Sequence, residues 1–260
     1  TYSEIATNKF FGKSVIKHSK NNIFDVFNDV KNNPSSFGVV PVENSNQGSI
    51  KATLDFLIKY KINICGEQNI PIKHCLMSKS KTLSNIKKIF AHNQTLSQCD
   101  EWISKNMPNV ECVSSDSNAQ AAVLATKYKN TGCIANNICS KLYKLNIIAR
   151  NIHDIHNNTT RFLIIGNAKV DKSNNDKTTF VMSLKNKAGE LSKSLQILAN
   201  NKISMTKIES IPTKEKNWEY LFLIDISGHT HDKRISNALN KISDNSKYFQ
   251  LLGSYPKSID

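Results

Sequence analysis

Apolar residues recur in short runs along the first part of the chain, and the stretches between them carry apolar positions at helical spacing. The run Phe37-Gly38-Val39-Val40-Pro41-Val42 predicts a buried strand ending in a loop. Residues 53–60 follow as a helix with Leu54, Leu57 and Ile58 on one face. Further strands are predicted over 62–65, 74–77, 86–90 and 133–135, and helices over 96–105, 118–129 and 139–143. In the second of these helices Ala119, Ala122, Val123 and Ala125 share a face. This alternation predicts an α/β domain of mostly parallel sheet with helices on both faces. Ligands of such domains sit in the loops that follow the strands.

Residues 169–177 (Lys-Val-Asp-Lys-Ser-Asn-Asn-Asp-Lys) are polar and aperiodic and predict a linker. Beyond it the pattern gives strand 178–184, helix 189–201, strands 203–211 and 218–227, helix 231–242 and strand 248–254. Leu191, Leu195 and Leu198 line one helix, Ile235, Leu239 and Ile242 the other. The order βαββαβ is the ferredoxin-like split arrangement. Two domains are expected, 1–168 and 178–258.

With 39% hydrophobic residues, nine Gly and six Pro in 260 residues, a disordered or collagen-like chain is excluded. The net charge of +14 raises the question of nucleic acid. Only Arg150, Arg161 and Arg234 are arginines, however, and the lysines are scattered singly among abundant Asn. That pattern fits compositional drift better than a phosphate-reading surface, so no nucleic-acid partner is expected. In so Arg-poor a chain, each retained Arg needs a local reason. The six cysteines form no Cys-x-x-Cys pair and no cluster with His, which predicts free thiols in a reduced cytoplasm and no metal site. No apolar run reaches the length of a membrane span and no signal peptide opens the chain, so a cytoplasmic protein without a membrane partner is expected. The start at Thr1-Tyr2-Ser3, without Met, is expected of a chain cut at its front.

Three loops at strand ends carry candidate chemistry. Glu43-Asn44-Ser45-Asn46-Gln47-Gly48-Ser49 offers a carboxylate, amides and hydroxyls after a buried strand. The same Ser and Asn would serve equally as a helix cap, and the residues alone leave both readings open. His92-Asn93-Gln94-Thr95 follows a second strand, with Gln98 four residues past Gln94 on the same predicted helix face, although a lone His is more often structural. Asn158-Thr159-Thr160-Arg161-Phe162 runs into a third, where Arg161 reads as an anion receptor because a guanidinium fork binds a carboxylate in bidentate fashion.

These segments resemble a known family, the prephenate dehydratases with a C-terminal ACT regulatory domain. Pro41-Val42-Glu43-Asn44-Ser45 with Gly48-Ser49-Ile50, Thr160-Arg161-Phe162, Ala91-His92-Asn93-Gln94 with Gln98-Cys99, and Lys207-Ile208-Glu209-Ser210-Ile211-Pro212 are each similar to a family segment, in family order. Thr1-Tyr2-Ser3-Glu4 resembles the end of an N-terminal Gly-x-x-Gly-Thr-Phe-Ser-Glu motif. The resemblance implies a two-lobed catalytic domain like a type II periplasmic binding protein, lobes 1–70 with 153–168 and 73–150, followed by the βαββαβ ACT domain. It implies cofactor-free conversion of prephenate to phenylpyruvate, with aromatisation driving loss of carbon dioxide and water. Such a reaction needs placed hydrogen-bond donors rather than a nucleophile.

By the same resemblance Thr160 is the essential hydroxyl, Arg161 orients a carboxylate, Phe162 completes the signature, and Glu43 and Asn44 shape the catalytic cleft. Thr1, Ser3, Ser45, Gln98, Asp116 and Asn118 are implied to meet the substrate. Gly189, Glu190, Leu191, Glu209 and Ser210 fall at the positions where the family binds L-phenylalanine at an ACT dimer interface, and a homodimer or homotetramer is implied.

The chain departs from the family at Ala91, where Ser is usual, at Asn118, and in the ACT segment at Glu190 and Ile211, the latter in place of Arg. A carboxylate at 190 and a lost cation at 211 predict weakened sensing of phenylalanine. Arogenate dehydratase, a catalytically silent binding or scaffold protein of the same fold, and a solute-binding transport protein are the competing readings, the last opposed by the missing signal peptide.

Overall fold

The computed structural model describes residues 1–155, 157–213 and 220–259. In chain order the elements are α1 (Tyr2–Phe11), α2 (Ile23–Asn32), β1 (Gly38–Asn44), β2 (Gly48–Ser49), α3 (Lys51–Tyr60), β3 (Asn63–Pro71), β4 (Cys75–Ser78) and β5 (Lys88–Ala91). Then come α4 (Asn93–Ser97), α5 (Asp100–Asn106), β6 (Glu111–Ser114), α6 (Asn118–Lys127), β7 (Thr131–Ala135), α7 (Ile138–Tyr143), β8 (Asn146–Arg150) and β9 (Thr159–Gly166). The last are β10 (Asp176–Ser183), α8 (Glu190–Asn200), β11 (Met205–Pro212), β12 (Tyr220–Ser227), α9 (Lys233–Asn245) and β13 (Tyr248–Pro256). Residues 218 and 219 of the predicted third strand lie outside the described residues. Two units form: Thr1–Asn8, Asn44–Gln47 and Ile70–Thr160 in one, Lys9–Glu43, Gly48–Asn69 and Arg161–Asp260 in the other.

The first unit is built on a five-stranded sheet in the order β6-β5-β7-β4-β8. Strand β5 runs parallel to β6 and β7, whereas β4 is antiparallel to β7 and β8. The sheet is thus mixed rather than mostly parallel. Its inner strands β5, β7 and β4 are buried on both faces, and alternate residues divide between two apolar clusters. Met77, Phe90 and Cys133 pack against Ala121, Ala122 and Ala125 of α6, while Leu76, Ile89 and Ile134 pack against Cys99 and Ile103. Ala91 lies wholly buried in the second cluster, so its methyl fills core where a Ser would place a hydroxyl. The helix expected over 96–105 is broken in two. Asp154 accepts hydrogen bonds from the backbone N–H of Glu101 and Trp102, both at 3.1 Å, and starts α5 afresh.

In the second unit the sheet β2-β1-β9-β3 and the sheet β11-β12-β10-β13 share one apolar cluster. Helix α2 enters it through Phe27 and Val30, with Asn22 capping its first turn by accepting from the Asp25 N–H at 2.9 Å. The C-terminal sheet is antiparallel throughout and has the expected βαββαβ order. Both of its faces are used. Phe180, Met182, Ile224 and Ile226 meet α8 and α9, while Val181, Leu223, Ile211 and Leu252 join Leu57, Ile64 and Leu163. Among the described residues no helix is long and apolar enough to cross a membrane.

Gly253 on β13 fixes how closely the two sheets of this unit approach. Its φ is +153°, and a Cβ there would lie 2.3 Å from the carbonyl oxygen of Ile64 and 3.0 Å from its nitrogen. Because backbone, not a movable side chain, blocks the space, Gly253→Ala is expected to lower stability by about 3 kcal/mol. A urea unfolding curve shifted by less than a third of that amount would contradict this close contact.

Candidate functional site

Strands β1 and β9 each end or begin at a polar segment, and in the first unit these segments meet. Asn44 is half-buried, and its side-chain amide donates to Thr160 Oγ1 at 2.9 Å and to Asn158 Oδ1 at 2.6 Å. Ser45 is pinned to the same stretch. Its N–H donates to the Thr159 carbonyl at 2.9 Å, and its hydroxyl donates to the Asn157 carbonyl at 3.0 Å. Thr160 is 9% exposed. Since its oxygen accepts from Asn44, its own proton remains available to a further acceptor.

Other expected site residues of this unit are placed as follows. Gln98 ends α4, and its Oε1 lies 2.8 Å from His74 Nε2. Gln94 donates to Gln47, so the two glutamines serve different partners. Asn118 joins two strand-end loops: it accepts from the His92 N–H at 2.9 Å and donates to Thr95 Oγ1 at 2.8 Å. A cavity of about 150 Å³ lies at the starts of α1 and α6, lined by Thr1, Tyr2, Ser117, Asn118 and Asn136 among others. Helix starts present free N–H groups and the positive end of the dipole. Thr1 and Asn118 therefore share a wall, whereas Ser3 is half-buried within α1 and Asp116 is exposed, its backbone N–H held by Gln120.

Arg161, the next residue after Thr160, belongs to the second unit and lies at the centre of a buried ionic network. Its Nε donates to Glu67 at 2.6 Å, Nη1 to Glu43 at 2.9 Å and to Asp225 at 2.7 Å, and Nη2 to the Tyr255 hydroxyl at 2.9 Å. Tyr255 in turn donates to Thr179 at 2.6 Å, and Thr179 donates to Asp225 at 2.7 Å. Lys177 adds a second cation on Glu67 at 2.8 Å. The side chains of Asp225 and Glu67 are only 1% and 3% exposed. Burial opposes the charge on Arg161, but Tyr255, Asp225 and Glu67 hold its pKa well above the usual value. Burial likewise pushes the Glu43 carboxyl up, and Lys207 and Arg161 outweigh it to leave the group below the ordinary carboxylate range.

This geometry revises the expected role of Arg161. Three carboxylates of the chain already occupy its fork, and they repel rather than invite a fourth anion. Phe162 is core, 3% exposed. Glu209 and Ser210 point to opposite faces of β11, as adjacent strand residues must, and Glu209 accepts from Ser49 instead of facing an open site. Gly189 caps α8 in a left-handed conformation, Leu191 packs toward the α8–α9 cluster, and Glu190 pairs with Lys193 at 2.8 Å. Ile211 is 5% exposed in the core, not at a surface where a cation would greet a ligand. Glu67, Asp225 and Tyr255 went unforeseen. An acid inside the apolar run Leu223-Ile224-Asp225-Ile226 was the available signal, because a buried carboxylate needs a partner.

Two outcomes follow. Arg161→Met leaves Asp225 and Glu67 short of a counter-ion and is expected to cost about 3–5 kcal/mol in urea unfolding, with Arg161→Lys a poor substitute. Burial also pulls the His74 imidazole below its ordinary value of 6.5, with Gln98 opposing and His153 adding to the shift. Unfolded His74 then binds a proton that the folded form refuses. Its contribution to stability is complete above pH 6.5 and declines as pH falls below it. A His74→Phe chain should show a flatter acid limb in the urea midpoint than the parent.

The prephenate dehydratase family profile matches residues 1–170, and the ACT domain profile matches 178–244. The bifunctional chorismate mutase/prephenate dehydratase of Aquifex aeolicus is 37% identical over 259 residues, covering 100% of this chain and 72% of that protein. The prephenate dehydratase of Methanocaldococcus jannaschii is 37% identical, with 98% of this chain and 94% of the relative covered. The crystal structure of the Arthrobacter aurescens prephenate dehydratase in complex with L-Phe superposes with a TM-score of 0.87 at 28% identity, covering 98% of this chain and 87% of that one. On these matches and on the fold just described, the chain belongs to the prephenate dehydratase family and carries a C-terminal ACT domain.

Proposed function

We propose that this chain converts prephenate to phenylpyruvate with Thr160 as the hydroxyl that assists departure of the ring oxygen. The observation that carries this reading is the Asn44–Thr160 hydrogen bond of 2.9 Å, which fixes the Thr160 oxygen and leaves its proton to donate. Breaking the ring carbon–carboxylate bond sends its electron pair into the ring and releases carbon dioxide. The ring carbon–oxygen bond then breaks as aromaticity forms, and the departing oxygen takes up one proton to leave as water. Thr160 is too weak an acid to deliver that proton by itself, so it stabilises the departing charge while solvent makes up the balance. Asn44, Ser45, Gln98 and the Thr1–Asn118 wall supply the remaining polar groups, and the starts of α1 and α6 suit a carboxylate of the dianion.

In this reading residues 1–168 are the catalytic region, with lobes 1–70 plus 153–168 and 73–150. Residues 169–177 are a linker and 178–258 the regulatory region. The protein works in the cytoplasm as a homodimer or homotetramer. The A. aurescens relative was crystallised with L-Phe, which supports phenylalanine as the effector class. Sensing is weaker here, on one ground. Glu190 keeps a negative charge at the start of α8, where Lys193 holds its carboxyl below the ordinary range.

Phenylpyruvate formation from prephenate, with arogenate offered in parallel, tests the assignment. Thr160→Ala is expected to lower kcat by roughly 100-fold or more, and added phenylalanine to leave the parent rate nearly unchanged. Full activity in the Thr160→Ala chain would remove Thr160 from the reaction. Strong inhibition by phenylalanine would restore feedback.

A further inference from the structure

The inward face of β11 carries Lys207, Glu209 and Ile211 in alternate positions. Ile211 enters the core, whereas the two charged residues reach the ends of the β1–β2 connection. Lys207 Nζ donates to Glu43 at one end and to Ser49 Oγ at the other, the latter at 2.8 Å. The Ser49 hydroxyl donates to Glu209, whose carboxylate lies 3.3 Å from Lys207 Nζ. Lys207 is 14% exposed, well shielded from water and salt. Between these fixed ends the connection includes only Asn44, Ser45, Asn46, Gln47 and Gly48, and Asn44 holds the Thr160 hydroxyl. Five residues have little slack, so a shift of Glu43 or Ser49 must be taken up at Asn44 or its neighbours.

We propose that Lys207 and Glu209 are positioning residues for the dehydration step, acting through the Asn44–Gly48 connection on Thr160. This rests on the reading that Thr160 serves the reacting oxygen. Neither residue belongs to the catalytic region of the sequence; both come from the regulatory strand. Losing the Lys207 ammonium removes the one group that ties the two ends together, leaving Glu43 to Arg161 and Ser49 to Glu209. The Asn44 amide then no longer holds the Thr160 oxygen in one place. Because the effect reaches the reaction chiefly through the placement of Thr160 at the bond-breaking step, it falls mainly on kcat rather than KM.

The test uses the full chain with Lys207→Met, Lys207→Arg, Glu209→Gln, Asn44→Ala and Thr160→Ala, read by steady-state kinetics on prephenate and by amide hydrogen exchange. Lys207→Met is expected to lower kcat about tenfold with KM within about twofold, and Lys207→Arg to restore most of the loss. Glu209→Gln should lower kcat less. Exchange at 44–47 should quicken about tenfold while α3 and β10 keep their protection. Combined with Asn44→Ala, Lys207→Met should add little further loss. Unchanged kcat and exchange in Lys207→Met overturn the proposal. So does an equal loss in Lys207→Arg, or protection lost across α3 and β10, because either marks a general folding defect. If Thr160→Ala is inactive while Lys207→Met is normal, only this proposal fails; a fully active Thr160→Ala removes the reading beneath it.

Discussion

A guanidinium that loses its water must be met by charge from within the chain, and the second unit is organised around that requirement. Arg161 draws Glu43 from β1, Glu67 from β3 and Asp225 from β12 to one point, with Tyr255 of β13 closing the circle. The apolar contact between the two sheets has no preferred direction, since burial rewards area rather than alignment. The ionic contacts do have one. They accept a single register of Asp225 and Tyr255 against β9. The cost of desolvating so many charges is large, and the network returns it only while complete. The stiffness this gives to β9 begins one residue after Thr160.

Beside that charged centre, the chemistry of the Thr160 segment is mild. Amides and hydroxyls surround it, held by hydrogen bonds near 3 Å. A reaction driven by aromatisation asks for no more than an oriented donor and a place for negative charge. The two requirements, strong charge for holding and weak polarity for reacting, are kept in adjacent residues of one strand.

Much of this could be read in the chain. The βαββαβ order and the strand-end loops follow from periodicity, because alternate faces of the C-terminal sheet are both apolar and its helices are cleanly amphipathic. Strand β3 was expected to stop at Cys65 because Glu67, Gln68 and Asn69 interrupt the apolar run; it continues because Arg161, Lys177 and Ser258 satisfy those polar groups. Helix α2 escaped notice although Asn22 caps it and Phe27 and Val30 mark its face. The scarcity of arginine correctly marked Arg161 as a residue with a local purpose. Its partners stayed hidden because they stand 94 positions before it and 64 and 94 after it, distances over which sequence carries no local signal. Glu209 was grouped with Ser210 by adjacency, whereas the pleat of the strand separates them.

The same long separations bear on the order in which the protein can be completed during synthesis. A chain made from its N-terminus presents Glu43, Glu67 and Arg161 to the solvent well before Asp225 and Tyr255 exist. Until the strand Tyr248–Pro256 is made, the network lacks the Tyr255 hydroxyl that closes it, and apolar residues of the N-terminal sheet lack the part of their cover that Leu252 and Tyr255 supply. Its final packing therefore waits for the synthesis of that strand and does not proceed stepwise. In the interval the nascent chain has most to gain from a chaperone that shields apolar surface, and a message truncated before β13 would yield a protein without its closing strand.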